Sequence, residues 1–163
     1  MKHAVYLILG TNIEPEKNTI EAAKQLAKSV EMIKVSSTWE TIAVGSDGPN
    51  FLNTAFHIET DLNAEKLKRD VINTIEYQLG RVRTSDKNAP RTIDIDIVLF
   101  DGVLYDQNLW KKAFVAIPMS ELLPDLQHPT MNLSLIEFIR QFEGKQMAVP
   151  HRLKVEDYFS LDH

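Results

Sequence analysis

The sequence predicts an α+β protein with a ferredoxin-like α/β sandwich, in which helices cover an antiparallel sheet. Two observations predict this fold class. The predicted elements run strand, helix, strand, strand, helix, strand along the chain, which is the order of a split β-α-β motif. The connections are short, so neighbouring strands can pair antiparallel in one layer beneath the helices. No shift in composition marks a boundary, and one domain is predicted over residues 1–163.

Each element of the first half has its own local signal. The apolar run 4–9 predicts a buried strand. A helix is predicted over 15–30, because Pro15 suits a first helical turn and apolar residues recur at helical spacing. Residues 32–41 alternate as a second strand, and residues 51–60 form a third. The apolar stripe of the helix consists of Ile20, Ala23, Ala27 and Val30.

The second half adds two helices and one strand. Asn63 suits the N-cap of the second helix, and Gly80 suits its C-cap. A fourth strand is predicted over 93–100 and a third long helix over 132–142. The core stripe of the second helix consists of Leu67, Val71, Ile75 and Leu79.

Charge and composition exclude several functional classes. The net charge is −5, from 23 acidic and 18 basic residues, whereas general nucleic-acid binding calls for a basic surface. The absence of cysteine excludes disulfides and thiolate metal sites and suits a reducing cytoplasm. No apolar stretch approaches the roughly 20 residues of a membrane helix. We therefore expect a cytoplasmic protein that binds neither nucleic acid nor membrane and has no obligate protein partner.

Two aspartates interrupt the fourth predicted strand. Alternation puts Asp94 and Asp96 on one face, roughly 7 Å apart at the backbone. The same face is expected to continue into the core with Val98 and Phe100. Aspartate is depleted in strands, and paired carboxylates suit magnesium shared with substrate phosphates. A solvated edge strand is the less favoured alternative.

A basic segment precedes this strand. Arg81, Arg83, Lys87 and Arg91 stand within eleven residues that contain one acid, Asp86. Arginine grips phosphate through two-point hydrogen bonds, and phosphoryl transfer requires cations opposite metal-binding carboxylates. For Lys87 alone, a solvated surface position is the preferred interpretation. Glu76 either pairs with one of the arginines or contacts a nucleotide, and spacing favours neither alternative.

Residues 87–98 read Lys-Asn-Ala-Pro-Arg-Thr-Ile-Asp-Ile-Asp-Ile-Val. This segment resembles throughout the signature of the 6-hydroxymethyl-7,8-dihydropterin pyrophosphokinase family. The resemblance covers residues 4–100 and resumes more loosely at Phe114 and at 118–124. Further landmarks follow in the family's order, at residues 10–12, 36–41, 51–53 and 75–83.

The resemblance implies an enzyme of folate biosynthesis that transfers pyrophosphate from ATP to a pterin alcohol and releases AMP. Asp94 and Asp96 would hold two Mg²⁺ ions that bridge the ATP phosphates. Arg81 and Arg91 would be the catalytic arginines. The implied pterin contacts are Thr41, Val44, Phe51, Asn53 and Phe114. The implied nucleotide contacts are Asn73, Glu76, Arg83, Lys87 and Ile97.

Two departures from the family pattern keep alternatives open. Asn88 stands where the family usually has a tryptophan. Residues 101–114 form a shorter segment than the family's, and they offer Lys111 and Lys112 instead of a proline-histidine pair and an arginine. A degenerate relative that binds a pterin or nucleotide without catalysis is therefore the second hypothesis. A ferredoxin-like RNA-binding module is the third, and the acidic balance counts against it.

Overall fold

The computed structural model describes residues 1–42, 49–80 and 93–161, and a single antiparallel sheet forms its centre. Six of the described strands lie in the order β6-β5-β1-β4-β3-β7, and β2 pairs with the second half of β4. Helices pack on both faces, as in the predicted α+β sandwich. The strands are β1 (His3–Thr11), β2 (Glu31–Val35), β3 (Trp39–Thr41), β4 (Phe51–Thr60), β5 (Asp94–Phe100), β6 (Val103–Leu104) and β7 (Ala148–Pro150).

The prediction of one continuous strand over 32–41 is wrong, because the structure divides it into β2 and β3. Between these strands the chain bonds to β4 partly through side chains. The Ser36 hydroxyl accepts the Ala55 N–H at 2.8 Å, and the Ser36 N–H donates to the Ala55 carbonyl at 2.9 Å. The hydroxyls of Thr38 and Thr54 lie 2.8 Å apart. A side-chain oxygen thus replaces a backbone acceptor, which lets the chain leave the regular ladder.

Helix α1 (Pro15–Ser29) packs on one face of the sheet and confirms the helix predicted over 15–30. Its fully buried positions include Ala22, Ala23 and Leu26. Ile20 and Ala27, which the predicted stripe included, are only partly buried. The contact face of the helix is therefore rotated slightly from the stripe that spacing predicted.

The second helical segment, residues 64–78, lies on the same face of the sheet as α1. It consists of α2 (Ala64–Lys66), a π-helical stretch (Leu67–Ile72) and α3 (Asn73–Gln78). The Asn63 side chain accepts the Lys66 N–H at 2.8 Å, which confirms the predicted N-cap. Gly80 ends the segment with a φ of 84°, a conformation that favours glycine.

The opposite face is covered by α4 (Ala113–Leu122) and α5 (Leu135–Gln141). Helix α4 was not predicted, and Pro118 in its interior weakens the local helical signal. Helix α5 is shorter than the helix predicted over 132–142, because a capping box at Ser134 fixes its start. Among the helices of the described ranges, none has the length and apolar character needed to cross a membrane.

A β-bulge in β5 changes which face its side chains occupy. Leu7 pairs with Ile97 and Tyr6 with Leu99, so Val98 is an extra residue. Phe100 therefore joins the α1 core, whereas Val98 belongs to the α4 core. The expectation that Phe100 continues the aspartate face is wrong, because one inserted residue reverses the alternation beyond it.

Candidate active site

Polar side chains lie in one row across the centre of the sheet, on the face that α4 covers. Asp94 of β5 pairs with Gly10 of β1, Gly10 pairs with Asn53 of β4, and Asn53 pairs with Trp39 of β3. Neighbouring strands are about 4.8 Å apart, so the backbones of Asp94 and Asn53 are separated by about 10 Å. Asp96 lies in the next row, opposite Ile8.

The carboxylates of Asp94 and Asp96 repel each other. Both are half-buried. Burial, together with the Asp94 carboxylate, raises the pKa of Asp96 from its ordinary 3.8 to about 7, and Asp106 and Glu76 act in the same direction. A divalent cation with oxygen ligands relieves this repulsion, so the pair fits Mg²⁺. Within the described ranges no group of three His, Cys, Asp or Glu side chains could hold a metal ion, and water or phosphate oxygens would complete the coordination.

Glu76 supports the strand that carries the aspartates. Its side chain is 4% exposed, and its Oε2 accepts the backbone N–H of Ile95 at 2.9 Å. Ile95 lies between Asp94 and Asp96, so Glu76 holds the backbone that joins them. Sequence spacing alone could not decide whether Glu76 pairs with an arginine or contacts a nucleotide. The structure shows a hydrogen bond to the backbone, which neither alternative included.

Asn53 occupies the centre of the polar row and is 2% exposed. Its Nδ2 donates to the Thr41 Oγ1 at 2.6 Å. A Cβ atom at position 10 would stand 2.7 Å from the Asn53 Oδ1, which no ordinary contact permits. Gly10 is therefore required so that the Asn53 amide can lie over β1. Phe51 lies on the same face, two residues before Asn53 in β4.

Glu121 of α4 fixes the helix to the sheet beside this row. Its Oε2 accepts the indole N–H of Trp39 at 2.6 Å, and its Oε1 accepts the Ser37 hydroxyl at 2.8 Å. Phe114 lies on α4 seven residues earlier, close to two helical turns away, and packs against the α4 core. Glu121 and Trp39 were missed as site residues, because no sequence pattern pairs positions 82 residues apart.

A groove of about 300 Å³ runs along β5 beside Asp96. Ile97, predicted to contact a nucleotide, lines it together with Asp96. Asn73 is exposed on α3, directly after the π-helical stretch. The remaining lining residues are Ala64, Glu65, Lys68, Ile72, Ile95 and Tyr105.

The family model described as 7,8-dihydro-6-hydroxymethylpterin-pyrophosphokinase matches residues 6–124. The chain belongs to this family. The match includes the row from Asp94 to Trp39, the groove and helix α4, and it confirms the family that residues 87–98 indicated.

Relatives in the pyrophosphokinase family fall into two groups by length. The chain is 32% identical to the 2-amino-4-hydroxy-6-hydroxymethyldihydropteridine pyrophosphokinase of Pseudomonas aeruginosa, over 79% of this chain and 86% of that protein. It is 27% identical to the Haemophilus influenzae enzyme of the same name, over 87% of this chain and 94% of that enzyme. It is 35% identical to the folic acid synthesis protein fol1 of Schizosaccharomyces pombe, over 81% of this chain but 19% of that protein. The chain thus spans about a fifth of the length of such folic acid synthesis proteins.

Solved structures show the same fold at low sequence identity. The structure of Plasmodium falciparum HPPK-DHPS wild type with pterin and p-hydroxybenzoate has a TM-score of 0.69 and 13% identity, and covers 92% of this chain and 46% of that one. The structure of the wild-type protein with pteroate has a TM-score of 0.66 and 13% identity, and covers 86% of this chain and 42% of that one. This likeness confirms the α+β fold class.

Several predicted site residues lie outside the described ranges. They are the arginines and the lysine of the basic segment and one residue of the segment 43–48. The described residues bring together the aspartates, Asn53 and Thr41 on one face and place Ile97 in the groove, and the remaining roles stay predictions. The residues outside are Val44, Arg81, Arg83, Lys87 and Arg91.

Proposed function

We propose that the protein transfers a pyrophosphoryl group from ATP to the hydroxymethyl oxygen of 6-hydroxymethyl-7,8-dihydropterin. The products are AMP and the pterin pyrophosphate used in folate biosynthesis. The observation that carries the proposal is the half-buried pair Asp94 and Asp96, in which Asp96 lines the groove along β5 and Asp94 belongs to the row that contains Asn53.

The aspartates supply the phosphate end of the proposed site. With Mg²⁺ bound, in two ions by the family resemblance, the site gains positive charge that offsets the charge of the ATP phosphates. Asp94 and Asp96 hold their carboxylates on one face, and Glu76 fixes the backbone between them. Arg81 and Arg91 are proposed to draw charge from the transferred group, as the family resemblance implies and as their place in the basic segment supports.

Asn53 and Thr41 supply the pterin end. The bond from Asn53 to Thr41 orients the amide, and a flat ring with polar edges is well bound by in-plane hydrogen bonds and apolar faces. Phe51 and Phe114 are the proposed apolar walls, and backbone groups near Thr41 and Val44 are proposed to bond the ring edge beside Asn53. Because about 10 Å separates the backbones of Asn53 and Asp94, a ring bound at Asn53 could direct its alcohol towards the metal end.

The groove along β5 supplies the nucleotide end. Ile97 lines it beside Asp96, so a nucleotide whose phosphates reach the aspartates enters the same groove. Asn73, Glu76, Arg83 and Lys87 are proposed to complete the nucleotide contacts. On this proposal both substrates meet at the aspartates, as an in-line transfer requires.

The substrates of the proposal are small molecules, namely ATP and a pterin alcohol. Cytoplasmic localisation belongs to the same proposal and rests on the cysteine-free composition. Two solved structures with the same fold are of HPPK-DHPS proteins, so an interaction with a second protein is compatible with the proposal.

AMP release tests the proposal directly. Purified protein with ATP, Mg²⁺ and the pterin alcohol should release AMP only when all three are present. Asp94→Ala and Asp96→Ala should each lower kcat by at least about 100-fold, since each removes charge stabilisation of the transition state. Asp61→Ala is the matched control, because Asp61 follows the end of β4 remote from the polar row and its side chain is 74% exposed.

Two results would count against catalysis. Wild-type protein that binds ATP or pterin but releases no AMP would support the non-catalytic alternative. Full activity in Asp96→Ala would show that the aspartate pair is not needed for catalysis, which contradicts the proposal.

A further inference from the structure

The groove along β5 has an aromatic residue at its edge whose role the proposed function does not explain. Tyr105 follows β6, lines the groove and is 53% exposed. Its ring centroid lies 6.0 Å from that of Phe100, which is nearly buried. The ring of Tyr105 is therefore exposed to solvent at the groove. The ring of Phe100 is buried in the core, where β5 pairs with β6 to form a hairpin.

The backbone of Tyr105 is fixed to the strand that carries the aspartates. Its N–H donates to the carbonyl of Val98 at 2.8 Å, at the bulge of β5. Only the two side-chain torsions of Tyr105 remain to be ordered when a ligand packs on the ring. Such a residue offers a wide contact surface at a small cost in conformational entropy.

The other wall of the groove comes from the second helical segment. Lys68 and Ile72 belong to the π-helical stretch, in which the Asn73 N–H donates to the carbonyl of Lys68. π-helical turns often occur at functional sites. Ile95 and Ile97 of β5 add apolar surface between the two walls. A slot lined mostly by apolar side chains, with an aromatic residue at its edge, suits a flat heterocycle.

The groove is also continuous with the phosphate end of the proposed site, because Asp96 lines it together with Tyr105. A nucleotide whose phosphates bind metal at the aspartates would carry its base along the groove. We propose that Tyr105 is a base-binding residue of this protein, and that its ring packs against the adenine of bound ATP. This inference rests on the proposed function and adds a specificity-determining contact to it.

Nucleotide binding with and without a base tests the inference. Calorimetry measures the affinity of wild-type protein for ATP and for inorganic tripolyphosphate, both with Mg²⁺. Packing of a base on an aromatic side chain contributes about 1–3 kcal/mol, which is roughly a 5- to 150-fold change in affinity. Tyr105→Ala should therefore weaken ATP binding by about tenfold and leave tripolyphosphate binding unchanged. Tyr105→Phe should retain ATP binding, because the ring face remains.

Steady-state kinetics give a second measure. Tyr105→Ala should raise the KM for ATP about tenfold, with little change in the KM for pterin or in kcat. Tyr158→Ala is the matched control, because Tyr158 is 44% exposed and lies outside the groove lining.

Three results would overturn the inference. They are unchanged ATP affinity in Tyr105→Ala, equal losses for ATP and tripolyphosphate, and wild-type protein that binds ATP no more tightly than tripolyphosphate. A wild type that binds ATP with this dependence on Tyr105 but releases no AMP would contradict only the proposed function.

Discussion

Replacement of Asp96 by asparagine should stabilise the metal-free protein while it abolishes metal-dependent function. Burial and the Asp94 carboxylate raise the pKa of Asp96 to about 7, so its ionised form is disfavoured in the folded state. Asparagine has nearly the same shape, carries no charge and can donate a hydrogen bond to Asp94. The variant thus removes the repulsion and keeps the packing.

The pKa sets the magnitude and the pH range. The folded pKa is raised from 3.8 to about 7, so the contribution of Asp96 to stability is present below pH 3.8 and is lost as the pH rises towards 7. Each pKa unit corresponds to about 1.4 kcal/mol, which gives an upper limit of about 4 kcal/mol at pH 8. The advantage of Asp96→Asn should grow between pH 4 and pH 7 and stay constant above that.

Thermal unfolding in the presence of a chelator measures this difference. A domain of this size gains roughly 2–4 °C in Tm per kcal/mol, so Asp96→Asn should melt several degrees higher than wild type at pH 8. Added Mg²⁺ and ATP should raise the Tm of wild type at pH 8 and leave the variant unchanged.

Asp101→Asn provides a control of opposite sign. The Asp101 carboxylate bonds to the His3 ring and accepts the Ala4 N–H, and these bonds lower its pKa. Its stabilising contribution is present above the unfolded pKa and lost as the pH falls through the folded one, so Asp101→Asn should destabilise the protein at pH 8. A difference between Asp96→Asn and wild type that does not change with pH would refute the electrostatic reasoning.

Two further predictions concern the pterin end of the site. Gly10→Ala should displace the Asn53 amide, lower the free energy of unfolding by about 1–3 kcal/mol and raise the KM for pterin at least tenfold. A normal pterin KM would show that the amide does not need its place over β1. Glu121→Ala leaves the Trp39 indole N–H and the Ser37 hydroxyl without this acceptor, and urea unfolding should show a loss of about 1–3 kcal/mol. Glu121→Gln keeps one of the two acceptor oxygens and should lose less, and equal losses in both variants would contradict this role.

The sequence predicted the elements whose signals are local. The Asn63 cap, the bounds of β4 and the start of α1 depend on residues near each other in the chain, and the structure confirms them. Alternation likewise indicated that Asp94 and Asp96 share one face. These features follow from backbone geometry that any isolated strand or helix obeys.

The features that escaped prediction depend on contacts between distant residues. The break between β2 and β3 requires the Ser36 hydroxyl to meet Ala55, and the place of α4 requires Glu121 to meet Trp39. The reversal at Phe100 requires the pairing of β5 with β1, since a bulge exists only relative to a partner strand. No sequence pattern marks Tyr105, because its proposed role depends on a groove formed by two separate segments.

The extra residue Val98 makes the register of β5 before it independent of the register beyond it. Before it, the register of β5 against Gly10 positions the aspartates, whereas beyond it the chain turns into the hairpin that ends at Tyr105. A bulge absorbs a change in pairing locally. Shortening or lengthening the stretch from the hairpin to α4 therefore need not move Asp94 and Asp96, and a family member can lose part of that stretch while the two carboxylates stay in place.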